Sequence, residues 1–388
     1  MRILVRDGLP AYVGETRDPL LRRSRWFRPL PGVDVSLRAG SLEQQLRDLP
    51  FDRAALMPCS DSWVREVAML SPSLRERFSA SMPAPDTLDR FVDKGRFADM
   101  LTEFETPHPF TRIVDSPSDL ATVPDSVFAS AILKPRDSQR FMLRYGVKAC
   151  HVASRAYAGE KMERLIADGF PVVLQEYIPG PATHHYFVDG FVDRHGEVRA
   201  LFVRQRLRMY PLDFGNSTYM VSVDREAAAP AVAAISALLR AVSYRGMFSA
   251  EFKLDLRDGD FKLLEVNARA WWYVDFAARC GVDVVRMAYD DGLGREVASV
   301  KSYAVGRRLV HPYFDYHACR SMKGKDKVSR LRCLRSWIGA MQPLNQLRDP
   351  APGMFFVAKS LGGSVVRRMR TILSSTIPIV VLAVKHPR

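Results

Sequence analysis

Cysteine is sparse in this chain. The five residues in 388, at Cys59, Cys150, Cys280, Cys319 and Cys333, are scattered and include no C-x-x-C pair. An odd, dispersed set suggests neither a disulfide framework nor a zinc site, and a reducing cytoplasm is the expected location. Long apolar runs are missing too. The opening "MRILVRDGLP" lacks a leader-like stretch. The most apolar segment, Ile377 to Val384, is far shorter than the roughly 20 residues that cross a bilayer. No G-x-G-x-x-G occurs, so a dinucleotide is not inferred. No Ser-His-Asp or Cys-His signature points to a protein nucleophile. Acidic residues are nearly absent from the last 88 positions: residues 301–388 hold 3 Asp+Glu against 17 Lys+Arg, while the first 300 hold 40 of each. The whole net charge of +14 therefore lies in that tail. Such asymmetry suits an anionic partner, whether a membrane surface, a polyanionic substrate or nucleic acid; a solvated basic face is the alternative.

What is present is ample for a core. The chain is 47% hydrophobic and 26% charged, which fits two or three folded domains. In the first 80 residues, "RILV", "VDVSL" and "RAALMP" read as strands, and "SLEQQLRDL" and "SDSWVREVAML" as helices with Ser near the N-cap. This alternation predicts a parallel, Rossmann-like sheet over residues 1–85. The Pro-rich "SMPAPD" marks a boundary. A second region, 86–300, continues with helix "DKGRFADMLTEF", strand "SAILKP", helix "SRAYAGEKMERLIADG", strand "PVVLQEYIPG", two long antiparallel strands, an Ala-rich helix over 226–242 and a hairpin. Residues 301–388 form a basic extension, expected to be helical. In "KVSRLRCLRSWIGAM", Val328, Leu331, Leu334, Ile338 and Met341 recur at helical spacing, with Lys327, Arg330, Arg332 and Arg335 mostly off that stripe. The stripe fits either a helix lying on a membrane or one packed on the body of the protein.

The hairpin "FSAEFKLDLRDGDFKLLEVNARAWW" carries the chemistry. Asp258-Gly259 is a turn signal. With a three-residue loop, Arg257 to Gly259, Glu251 faces Glu265, and one sheet face collects Glu251, Lys253, Asp255, Glu265 and Asn267 together with Phe261 and Leu263. The other face, Phe252, Leu254, Leu256, Leu264 and Val266, is plain core. Two adjacent carboxylates repel. A divalent cation removes that cost, and Glu251, Glu265 and Asn267 form a hard oxygen set suited to Mg²⁺ that also holds phosphate; a solvated outer face is the alternative. Lys134 closes an apolar strand, where an anion would offset its burial, and Lys94 and the strand end Glu176-Tyr177-Ile178 stand earlier in the same order.

That order of motifs resembles the ATP-grasp superfamily, in particular carboxylate–amine ligases of the D-aspartate ligase and carbamoyl-phosphate-synthase kind, over residues 20–300. The matching phrases are "PCSDSWV", "DKGRF", "ILKP", "LQEYIPG", "RQRLRMYPLDFGNS", "AEFKLD" and "LLEVNAR". The resemblance implies a mixed α/β and α+β fold: a Rossmann-like pre-grasp domain, two lobes clasping ATP with a hinge near 175–180, and the basic C-terminal extension. It implies that Lys94 and Lys134 contact ATP phosphates, that Glu176, Tyr177 and Ile178 read adenine, and that Glu251, Glu265 and Asn267 hold two Mg²⁺, with Mn²⁺ as an alternative ion. Arg269 would steady the transferred phosphoryl group. Arg206 and Arg208 are candidates for the substrate carboxylate or γ-phosphate, and equal parity on one strand points both into the cleft. Three departures stand out. "PRDSQRF" replaces a glycine-rich lid, with Ser138 and Arg140 as substitutes; Ala182 and Thr183 stand where an acidic ribose ligand is expected; and "RILVRDG" reads as a second strand, with the usual first strand–helix unit absent or upstream.

The expected activity is ligation of a carboxylate to an amine through an acyl phosphate, on small-molecule partners or a cell-envelope or other anionic precursor, with peripheral contact to the inner face of the membrane through 301–388. A grasp-fold kinase, a small-metabolite ligase, a grasp domain that binds nucleotide without catalysis, and a nucleic-acid-binding protein are the rivals. The last is disfavoured because the tail holds no recognised nucleic-acid motif.

Overall fold

A computed structural model of the chain describes residues 2–14, 18–31, 42–136, 138–344, 346–361 and 380–383. The predicted strand "VDVSL" lies outside them. Several helices begin where the sequence supplies caps. Ser60 accepts from the Trp63 N–H to open Asp61–Ala68, Asp93 accepts from Gly95 and Arg96 to open Lys94–Glu103, and Ser154 caps Arg155–Ala167. Residues Arg2–Arg6, read as a strand, are helical instead: Ile3 and Leu4 are both buried, which alternation cannot achieve on a half-exposed strand.

Among the described residues, three sheets organise the chain. The first contains β1 (Ala11–Val13), β2 (Ala54–Met57), β3 (Phe78–Ser79) and β14 (Val380–Ala383), in the order β1-β14-β2-β3. Among the described residues only the β2–β3 pair is parallel; β14 runs antiparallel to both β1 and β2, so this sheet is mixed rather than wholly parallel. Within the apolar segment near the end of the chain, Val380, Val381 and Leu382 are thus buried in a strand lying between two others. The second sheet is small and antiparallel, with β4 (Thr111–Val114), β5 (Ala131–Pro135), β6 (Cys150–Val152) and β7 (Val172–Glu176) in the order β4-β7-β5-β6. The third is the large antiparallel sheet: β8 (His185–Val192), β9 (Val198–Tyr210), β10 (Asn216–Ser222), β11 (Gly246–Leu254), β12 (Phe261–Asn267) and β13 (Arg308–Val310), in the order β12-β11-β8-β9-β10-β13. No helix among the described residues is long and apolar enough to cross a membrane.

The large sheet is buried on both faces. One packs Phe248, Phe252, Leu263 and Val266 against Ile235 and Leu238 of the helix Ala229–Ala241. The other packs Phe191, Phe202 and Met220 against Phe276 and Tyr289 of the helices Val274–Arg279 and Val284–Gly292. Residues 301–388 supply strands to two sheets, and the helices Pro312–Ser321, Arg330–Ser336 and Ala351–Leu361 lie between them in sequence.

The hairpin corrects the expected turn while keeping the expected pair. Gly259 is left-handed, with φ +82°, but the loop runs from Leu256 to Gly259, closed by Asp255 N–H to the Asp260 carbonyl at 2.8 Å. Leu254 therefore pairs with Phe261, Lys253 with Lys262 and Phe252 with Leu263, one residue out of the predicted frame. An extra residue, Leu264, restores the frame, so Glu251 pairs with Glu265 and Ser249 with Asn267. The same bulge turns Leu263 into the core, not onto the polar face, and the longer loop leaves Leu256 69% exposed.

Candidate active site

Glu251 and Glu265 stand side by side across β11 and β12, with Asn267 two residues further along the same face. Asn267 Nδ2 donates to Glu265 Oε1 at 3.4 Å. Glu251 Oε1 accepts from His185 Nδ1 at 2.8 Å and meets Arg206 Nη2 at 3.0 Å. Burial pushes the Glu251 carboxyl up, but Arg206 and His185 more than reverse this and hold it well below the usual carboxylate range. Burial and the neighbouring Arg206 in turn pull the His185 imidazole down to about 4. It is neutral at physiological pH and donates its Nδ1–H to the carboxylate.

Cations face these acids from the small sheet. Lys134 is half-buried near the end of β5. Lys148, half-buried just before β6, donates from Nζ to Asn216 Oδ1 at 2.7 Å. Burial lowers both ammonium groups from their ordinary value, and Glu265 and Glu251 oppose that shift in each. Lys94 Nζ donates to the Arg136 carbonyl at 3.0 Å, two residues beyond Lys134. Arg136 Nε in turn bonds the Asp93 cap at 3.2 Å. The helix start and the strand end are thereby tied together.

The end of β7 and the chain just beyond it carry Glu176, Tyr177 and Ile178. Glu176 Oε1 pairs with Arg257 of the hairpin turn at 2.7 Å. The Tyr177 N–H donates to the Ser130 carbonyl at 2.6 Å, and its own carbonyl accepts from Ser130 Oγ at 3.0 Å. These two backbone groups are therefore engaged rather than open to a ligand edge. The Tyr177 ring meets His151 and Phe214 with centroids 5.0 and 5.9 Å away, and Lys253 Nζ lies 4.8 Å from its centre. Ile178 is buried. Gly180 follows with φ +117°; a Cβ there would sit 2.5 Å from His184 Nδ1. Thr183 gives its carbonyl to Gln205 Nε2 at 2.8 Å.

The arginines divide. Arg206 is buried beside Glu251, with Nε on Ser217 Oγ at 2.8 Å. Arg269 grips Asp61, the first residue of the helix in "PCSDSWV", at 2.6 and 3.4 Å. Arg208 leaves the group: it forms two bonds to Asp315 at 2.9 and 2.6 Å and lies over the Tyr219 ring. The β9–β10 pairing shifts between Ser217 and Met220, which breaks the parity argument that joined Arg208 to Arg206.

No family model matches the chain. A D-aspartate ligase of Enterococcus faecium (strain Aus0004) is 24% identical over 245 residues, 61% of this chain and 58% of that protein. The carbamoyl phosphate synthase large chain, C-terminal section, of Methanopyrus kandleri is 20% identical over 226 residues, 56% of this chain and 40% of that protein. The crystal structure of an L-amino acid ligase from Bacillus licheniformis superposes with a TM-score of 0.50 at 16% identity, covering 69% of this chain and 62% of that one. By these likenesses the chain is similar to ATP-grasp ligases, and its fold is of the ATP-grasp kind. It spans about three-fifths and two-fifths of the length of the two curated relatives.

Within this ATP-grasp fold, Glu251, Glu265, Asn267, Arg206 and Lys134 form one interacting group; Lys94 adjoins it through Arg136, and Arg269 bonds Asp61 while remaining within electrostatic reach of Glu265. The segment after Lys134 is helical over Ser138–Tyr145, and Arg140 packs 5.4 Å from the Phe170 ring centre. Asp137 and the Ser138 side chain lie outside the described residues. Sequence reasoning missed Lys148, whose signal is a lysine leading into a short apolar strand, and the bond from His185 to Glu251. His185 was readable as one of two adjacent histidines with opposite facing; His184 is the one near Gly180.

Proposed function

We propose that this ATP-grasp protein is an ATP-dependent carboxylate–amine ligase. A substrate carboxylate attacks the γ-phosphate, giving an acyl phosphate and ADP; an amine then displaces phosphate and forms the amide. The observation that carries this reading is the cross-strand pair Glu251 and Glu265 facing Lys134, Lys148 and Arg206. Such a mixed-charge cleft suits a polyanion bound with a hard cation, and phosphoryl transfer needs positioning and charge neutralisation more than a protein nucleophile.

Lys94, Lys134 and Lys148 are assigned to the phosphates, and Glu176, Tyr177 and Ile178 to the adenine side, with Tyr177 contributing its ring. Glu251, Glu265 and Asn267 offer only oxygen donors of the class that suits magnesium or manganese, and the reading takes two ions. Bound there, they neutralise charge on the phosphate oxygens. Arg206, now on Glu251, is placed to turn to incoming phosphate or carboxylate. Arg269, fixed by Asp61, holds the acyl phosphate side.

The relative named D-aspartate ligase supports an amino acid as one partner. The basic excess of residues 301–388 supports an acceptor from the cell envelope or another anionic precursor, met at the inner membrane face.

The test is nucleotide product analysis. Purified protein is incubated with Mg-ATP and pooled amino acids and carboxylates, with Glu265→Ala as control. ADP plus free phosphate, dependent on a panel member and lost in the control, supports ligation. ADP without free phosphate, accompanied by a stable phosphorylated product, refutes it in favour of a kinase.

A further inference from the structure

The helix Arg330–Ser336 is turned inside out relative to ordinary packing. Its inner side is fixed by polar bonds. Ser336 Oγ accepts from Arg208 Nη2 at 2.7 Å, the Ser336 carbonyl accepts from Tyr219 at 2.7 Å, and Trp337 Nε1 donates to buried Asp315 at 2.7 Å. Cys333 is buried on this side. The aliphatic side chains point the other way: Leu331 is 59%, Leu334 50% and Ile338 78% exposed. Leu331 and Leu334 on the helix and Ile338 in the turn that follows it recur at helical spacing as one strip, and Arg330 and Arg335, both exposed, flank it on either side. The mount cannot rotate to bury the strip without breaking the Arg208–Asp315 network.

We infer that this outward strip, Leu331, Leu334 and Ile338 edged by Arg330 and Arg335, is a docking surface for an anionic lipid bilayer. Aliphatic side chains enter the headgroup boundary while flanking guanidinium groups meet lipid phosphates. Charge chooses among occupants. A second copy placed across a two-fold axis would set Arg330 and Arg335 against their own like charges. A nucleic acid wants stacking rings, and the aromatic residue of this segment, Trp337, is committed inward to Asp315. An anionic membrane satisfies both the strip and its edges. The inference goes beyond the ligase reading and stands or falls without turnover.

The experiment is co-sedimentation of the full chain with vesicles of phosphatidylcholine alone or with about one-third phosphatidylglycerol, read with thermal unfolding and sedimentation velocity. Wild type is expected to partition about tenfold more strongly into the anionic vesicles, and less as salt rises. Leu334→Glu/Ile338→Glu should fall to the neutral-vesicle level with an unchanged unfolding temperature, and Arg330→Gln/Arg335→Gln should lose the anionic preference. Equal partition of wild type into both vesicles overturns the inference, as does unchanged binding by the Leu334→Glu/Ile338→Glu variant. Self-association that these substitutions abolish, or salt-sensitive binding of RNA or DNA in place of vesicles, overturns it in favour of that other occupant.

Discussion

Glu251→Gln tests the electrostatic core of the site. The substitution keeps size and one carbonyl oxygen but removes the charge that Arg206 meets at 3.0 Å and His185 at 2.8 Å. The Arg206 side chain is only 5% exposed, so it loses its counter-charge where water cannot replace it. Breaking a buried pair by removing one partner costs about 3–5 kcal/mol. Glu251 retains some solvent contact and Gln still accepts a hydrogen bond, so a loss of about 2–3 kcal/mol is expected in denaturant unfolding at pH 7. The sign with pH follows from the depressed carboxyl. Its stabilisation is complete above the ordinary carboxyl value of 4.5 and is lost as pH falls toward the lower folded value. The gap between wild type and Glu251→Gln should therefore stay constant from neutral pH down to about 4.5 and narrow as pH falls below that toward the folded value. In a double-mutant cycle with Arg206→Met, a coupling of at least about 1 kcal/mol is expected. A variant as stable as wild type at pH 7, or a gap that widens on acidification, would refute the reasoning.

Lys134→Met should lower ATP affinity at least about tenfold by calorimetry while leaving the unfolding temperature unchanged or raised, because it removes an ammonium whose burial already opposes its charge. Lys253, almost fully buried, is pulled down to about 8, chiefly by burial. Its folded value lies below the unfolded one, so wild type should gain stability as pH rises from about 8 toward 10.5. Lys253→Met should lack that gain and be more stable at pH 7 by about 2 kcal/mol. Asp315→Asn strands buried Arg208 and should cost about 3 kcal/mol, measured by denaturant unfolding, with faster limited proteolysis of residues 312–344 and unchanged ATP affinity.

The site was legible wherever local parity decided it. The pairing of Glu251 with Glu265 followed from a turn signal and the two-residue period of a strand, and it survived an error in the turn because Leu264 supplied the missing residue. Leu263 was misplaced for the same reason, since a bulge is invisible to alternation. Helix starts were legible from Ser60, Asp93 and Ser154, whose side chains cap the backbone locally. What the sequence could not convey was partnership at a distance. Arg208 and Arg206 look alike along β9, and their roles are separated by a bulge in the β9–β10 pairing and by the helix Pro312–Ser321, more than a hundred residues away, which brings Asp315 to one of them. The strip at Leu331, Leu334 and Ile338 was legible as a period, but its direction depends on what holds Ser336 and Trp337 from beneath.

The strand Val380–Ala383 lies between Ala11–Val13 and Ala54–Met57. Ala11–Val13 and Ala54–Met57 are therefore made long before the strand that joins them. While residues 42–344 are being made, β1 and β2 each have an edge open to other chains, and that edge closes only when a segment more than three hundred positions downstream arrives. Synthesis itself sets the order in which the layers mature, with the large antiparallel sheet complete well before the first.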